Sequence, residues 1–69
     1  MSDKVYKLLE ITGTSSQSIE DAVNNAISRA SASVRNMRWF QVIETRGSID
    51  AGKVSQWQVT MKVGFAIED

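Results

Sequence analysis

The 69 residues include no cysteine and no histidine. Disulfides, thiolate or imidazole metal sites, and Cys- or His-based nucleophilic catalysis are therefore excluded. The chain also lacks net charge, with eight Lys and Arg against eight Asp and Glu. Its basic residues (Lys4, Lys7, Arg29, Arg35, Arg38, Arg46, Lys53 and Lys62) are dispersed, with no run or stripe to follow a nucleic-acid backbone. No apolar run approaches the roughly 18 residues of a membrane span, and Met1-Ser2-Asp3-Lys4 has no signal-peptide character. The expectation is a cytoplasmic protein with neither nucleic acid nor membrane as partner. Glycine stands only at 13, 47, 52 and 64, which fits neither G-x-G-x-x-G nor G-x-x-x-x-G-K-[ST]. No pair of acidic residues has a spacing diagnostic of general acid–base work. The case for an enzyme is thin, and the expectation is that the protein is not one.

What is present is a chain 42% hydrophobic and free of low-complexity tracts, which argues against disorder. A domain this short buries only about 60% of the surface its unfolded form exposes. With ordering entropy of roughly 1.5 kcal/mol per residue, a lone core of this size comes out near break-even. Disulfides and thiolate or imidazole metal sites being excluded, association of identical subunits is the remaining remedy. A single domain over 1–69 that self-associates is expected.

The hydrophobic pattern gives the elements. Lys4 to Thr12 reads as a strand, apolar on both parities and ended by Gly13-Thr14-Ser15-Ser16. Ile19, Ala22, Val23, Ala26, Ile27, Ala30, Val34 and Met37 follow helical spacing over five turns. Ser16 or Ser18 caps this helix, Glu20 and Asp21 suit its first turn, Arg35 and Arg38 its last, and Asn36 terminates it. Its other side, with Asn24, Asn25, Ser28, Ser31 and Arg35, is either solvent-exposed or a subunit contact. Trp39 to Ile49 and Val54 to Ile67 form a hairpin around Asp50-Ala51-Gly52-Lys53, with Gly52 free to take positive φ. The predicted fold is α+β, β-α-β-β, a three-stranded sheet in order 1-3-2 with antiparallel neighbours, packed on one helix.

If Asp50 stands opposite Lys53, Thr45 faces Gln58 and Trp39 faces Gly64. Phe40 and Val42 then share the helix-covered face with Val59, Met61 and Val63. Trp39, Gln41, Ile43 and Thr45 point to the other face, beside Gln58, Thr60 and Lys62. One helix covers one face only, so this second face is an exposed apolar surface of the kind that marks an interface or a ligand groove. Trp39 is either an interface aromatic or a flat stacking surface for a planar ligand, with room left by Gly64. The Gln58 amide, with one acceptor and two donors, suits the edge of a heteroaromatic ring, though a surface glutamine needs no such role. Trp57 and Tyr6 read as packing residues. Glu44 and Arg46 share one side of their strand, as an ion pair or with Arg46 free to take a phosphate.

Several segments together resemble the dodecin family. They are Gly13-Thr14-Ser15, Trp39-Phe40 opening the second strand, Arg46-Gly47 near its end, and Gln58-Val59-Thr60-Met61-Lys62-Val63-Gly64-Phe65 in the third. The likeness covers essentially the whole chain in order and length. It implies a flavin-binding protein assembled as a hollow dodecamer of tetrahedral symmetry. It further implies FMN, riboflavin or another flavin bound as antiparallel pairs on twofold axes, between tryptophans at the position of Trp39. A glutamine at the position of Gln58 then bonds the polar edge of the ring, and residues at the positions of Glu44, Thr45 and Arg46 lie along the ribityl chain towards the phosphate. The implied role is flavin storage, sequestration and photoprotection, and some bacterial members also bind coenzyme A. Two positions depart from the family's pattern. Ala66 stands where bacterial members often carry arginine, which puts a phosphate or intersubunit contact in doubt. Arg38 stands where an acid is common, a reversal that favours a phosphorylated ligand. The alternatives are an oligomeric scaffold shell holding another planar ligand, coenzyme A or none, and a flavin-dependent enzyme, which needs an open substrate face that two stacked flavins do not leave.

Overall fold

The computed structural model describes residues 3–67. Its elements follow in the order β1 (Tyr6–Ser15), α1 (Ile19–Ala30), β2 (Met37–Asp50) and β3 (Lys53–Ala66). The sheet order is β1-β3-β2, with β3 antiparallel to both neighbours, so β1 and β2 run parallel at the two edges. This is the α+β arrangement predicted from the pattern.

Strand β1 runs three residues further than predicted. Gly13, Thr14 and Ser15 are not a turn, because they continue the ladder opposite Val59, Gln58 and Trp57. The chain turns afterwards, where the buried Ser15 hydroxyl accepts from the Gln17 N–H at 2.8 Å and donates to Asp21 Oδ2 at 2.7 Å. Ser18 is the N-cap, its hydroxyl accepting from the Asp21 N–H at 3.0 Å, and Glu20 and Asp21 occupy the first turn. Removing such a cap costs about 0.5–2 kcal/mol. Ser18→Ala is therefore expected to lower the thermal midpoint by roughly 4–8 °C per kcal/mol lost, measured by circular dichroism at fixed chain concentration.

Helix α1 is shorter than its periodicity suggested. It stops at Ala30, and the N–H groups of Ala32 and Ser33 turn back to carbonyls three residues earlier, tightening the chain out of the helix. Asn36 then takes φ 64° and leads into β2. Val34 and Met37 kept the helical spacing because Met37 packs on the same core as the helix, although its own backbone is extended. Consequently Arg29 is the basic residue of the last turn, and Arg38 lies in β2.

The core is small: Ala22 and Ala26 of α1 against Val59, Met61 and Val63 of β3, with Ile11, Val23, Ile27 and Met37 around them. Gly13 makes this approach possible. A methyl there would collide with the Ala22 carbonyl oxygen and lie 2.7 Å from the Ala26 methyl. The helix sits over β1 and β3, and β2 is left largely uncovered. The β2–β3 hairpin extends past it as an arm, turning at Ala51 (φ 52°) and Gly52 (φ 75°). The molecule measures 55 × 21 × 14 Å, with a radius of gyration of 14.3 Å. A compact chain of this length has a radius near 11 Å. The accessible surface of 5,175 Å² likewise exceeds the roughly 4,300 Å² of a compact 7.7-kDa monomer. Large apolar side chains are part of that surface: Leu8, Phe40, Val42 and Ile43 are about half exposed and Ile49 more so.

Candidate functional site

Pairing places Asp50 opposite Lys53 and Trp39 opposite Gly64, as the sequence predicted. Between these points the ladder departs from prediction. Ile43 is an extra residue in β2, so Val42 faces Met61 while Glu44 faces Thr60. A bulge of this kind reverses which side chains point to which face. Thr45 consequently stands opposite Val59, on the helix side of the sheet, and not beside Gln58. Arg46 takes the place opposite Gln58. A second irregularity between Ser48 and Ile49 restores the register before the turn.

The sheet face away from the helix therefore carries two groups of residues. At one end Trp39 lies on Gly64: a methyl on that glycine would be no further than 2.8 Å from three atoms of the indole. The missing side chain lets the ring lie against the sheet. Trp39 remains 42% exposed, and Tyr6 of β1 meets it edge to face, ring centres 6.0 Å apart at 65°. This is a fixed aromatic platform with one open side.

At the other end Arg46 organises a polar cluster. Its Nε–H donates to Gln58 Oε1 at 2.9 Å, one terminal nitrogen donates to the Thr60 hydroxyl at 3.1 Å, and the other pairs with Glu44 Oε1 at 3.4 Å. Thr60, itself buried, shares a hydrogen bond of 2.9 Å with the Thr12 hydroxyl. Gln58 Nε2 donates to Gln56 Oε1 at 3.2 Å. The Gln58 amide is thus held in one orientation, with an N–H and an oxygen lone pair still available to a ligand. The Glu44–Arg46 pair is exposed and worth about 0–1 kcal/mol by itself. Its effect is to orient the guanidinium towards Gln58.

Of the five site residues predicted from sequence, Trp39, Glu44, Arg46 and Gln58 share this face and Thr45 does not. Sequence reasoning took Tyr6 for a packing residue and gave no role to Gln56 or to a Thr12–Thr60 pair. The even-numbered spacing of Gln56, Gln58 and Thr60 along β3 was the available signal for two of these. A larger groove of about 790 Å³ lies between β1 and α1, but its lining of small residues such as Gly13, Ala26, Ala30 and Ala32 offers no stacking surface. Among the described residues no helix is long and apolar enough to cross a membrane.

With this geometry in hand, comparison with known proteins gives concordant matches. The family model described as Dodecin matches residues 5–68. The chain is 42% identical over 66 residues to the dodecin of Thermus thermophilus, spanning 96% of each chain. It is 40% identical over 62 residues to the calcium dodecin of Mycobacterium tuberculosis, spanning 88% of this chain and 86% of that one. The structure of dodecin from Streptomyces davaonensis aligns with a TM-score of 0.94 at 43% identity, covering 99% of this chain and all of the other.

Proposed function

Because this chain belongs to the dodecin family, we propose that it binds flavin, as FMN or riboflavin, and stores and sequesters it in the cytoplasm within a homo-oligomer without turning it over. The observation that carries this reading is the separation between the two ends of the outer face. Trp39 lies over Gly64, and Gln58 stands six residues earlier on β3. At a rise of about 3.3 Å per residue the indole and the amide are about 20 Å apart. A single tricyclic ring does not span that distance, and both side chains are pinned where they are. Two copies set antiparallel across this face bring the indole of each towards the amide of the other, the relation a twofold axis imposes. A pair of flat ligands between them is stacked on an indole at one face and bonded by an amide at the edge. The same contact covers Tyr6, Leu8 and Ile43, which the monomer leaves exposed.

The site residues proposed are Trp39 as the stacking platform, Gln58 for the polar edge of the ring, and Arg46 with Glu44 beside it. Thr45 is left out, since it faces the helix side. The indole is an electron-rich neighbour, and in van der Waals contact it quenches an excited flavin before photochemistry begins, which makes sequestration protective.

Titrating FMN and riboflavin with the purified protein tests the reading. Flavin fluorescence is expected to fall nearly to zero and to saturate at one flavin per subunit. Bright bound flavin, or no change with either compound, would overturn it and leave Trp39 as an interface residue.

A further inference from the structure

Trp39 and Tyr6 come from the two outer strands, which the central strand holds about 10 Å apart. Their rings meet because the positions of β3 between them carry almost nothing. Gly64 stands opposite Trp39 and Ala66 opposite Tyr6, so one methyl group is all that separates the two aromatic residues on that face. Atoms of the six-membered ring of the indole lie over Gly64, so the side chain leans from β2 across β3 towards β1. Tyr6 stands at the end of that reach. Among the described residues its hydroxyl makes no hydrogen bond, which leaves the ring itself as the contact with Trp39. Gly64 supplies a floor and no lateral restraint. Trp39 also follows an irregularity between Met37 and Trp39, where its own strand constrains it least. A ring at the far edge stops the indole from swinging off that floor. The 65° angle matters too: a parallel ring would cover the open face of the indole, whereas an inclined one leaves it bare.

We infer that Tyr6 is a positioning residue of the flavin site, holding the indole of Trp39 flat over Gly64 with one face open to a planar ligand. It acts through Trp39 and has no need to touch the flavin. An indole already ordered loses less conformational freedom when a ring stacks on it, and that saving appears as affinity. An indole held in one plane also keeps every bound ring in contact with its quencher. The inference rests on the flavin reading above and names a residue through which that site is set.

Two measurements test it, and the first needs no ligand. In a Trp57→Phe background Trp39 is the remaining tryptophan, and the decay of its fluorescence anisotropy reads the indole's own motion. Adding Tyr6→Phe is expected to leave that decay unchanged, and adding Tyr6→Ala to introduce a large-amplitude nanosecond component. An indole equally still in all three chains would overturn the inference. The second measurement is riboflavin titration of chains that keep both tryptophans. Tyr6→Ala is expected to weaken binding by about 2- to 12-fold, the effect of losing one aromatic pair, and Tyr6→Phe to retain wild-type affinity. Riboflavin that still binds the Tyr6→Ala protein is expected to show a slow fluorescence decay absent from wild type, a signature that lost stability alone does not produce. Wild-type affinity and decay in Tyr6→Ala would overturn the role of Tyr6 and leave the flavin reading standing. Tyr6→Phe as weak as Tyr6→Ala would assign the effect to the hydroxyl and overturn it as well. Failure of the wild-type protein to bind riboflavin would overturn both readings, whatever the anisotropy.

Discussion

Replacing Trp39 with alanine is expected to weaken flavin binding by about 5- to 150-fold and to leave the assembly intact. Stacking of a heteroaromatic ring on an aromatic side chain is worth about 1–3 kcal/mol, by analogy with nucleobases, and each 1.4 kcal/mol is a factor of ten in affinity. The fold should tolerate the loss because the indole rests on Gly64 at the surface, outside the core formed by Ala22, Ala26, Val59, Met61 and Val63. What the protein itself gives up is the edge contact with Tyr6, worth about 0.5–1.5 kcal/mol. Two readouts distinguish a stacking role from a merely structural one. The dissociation constant from fluorescence titration should rise, and the flavin that still binds should regain brightness because its quencher is gone. Wild-type affinity in the variant, with the wild-type mass, would remove Trp39 from the site.

The sequence made the architecture legible through simple alternation along β3, where Val59, Met61 and Val63 fall on one parity and become the buried row. It also made Trp39, Gly64 and Gln58 legible on one face, because the two irregularities between the turn and Trp39 cancel and leave Trp39 opposite Gly64. The middle of β2 was harder. Unbroken alternation from Phe40 and Val42 puts Glu44 and Arg46 on the helix side, against Val59 and Trp57. Charged groups are costly there, and the adjacent apolar pair Val42-Ile43 offers the place to insert one residue. That conflict was present in the sequence, and the bulge at Ile43 is its resolution: it moves two charges out of the core side and brings Arg46 to Gln58. The end of α1 failed for a different reason. Hydrophobic spacing reports which residues share a core, and Met37 shares it from an extended backbone. What no single chain displays is the approach of an indole to an amide about 20 Å away. Within one subunit those residues are only co-facial.

Gly13 was read as a turn glycine, and the structure gives it a different task with a measurable consequence. It lies in mid-strand, opposite Val59, at the point where α1 crosses β1. An added methyl would meet the backbone oxygen of Ala22 and the Ala26 methyl, and neither is the end of a flexible side chain. Relief requires moving the helix away from the sheet, which loosens Ala22 and Ala26 against Val59 and Met61, the centre of an already small core. Overpacking ordinarily costs about 1–3 kcal/mol. A collision with helix backbone belongs at the upper end, so Gly13→Ala is expected to lose about 3 kcal/mol. At a slope of roughly 1 kcal/mol per molar urea for a chain this small, the unfolding midpoint should fall by about 3 M at fixed chain concentration. Gly47→Ala is the control: its added methyl would have its nearest neighbour, the Gln56 carbonyl oxygen, at 3.4 Å, an ordinary contact. That variant should unfold within a few tenths of a molar of wild type. Equal midpoints for the two alanine variants would mean that helix and strand can separate at Gly13 without cost, and that the close approach of α1 is not what holds this small core together.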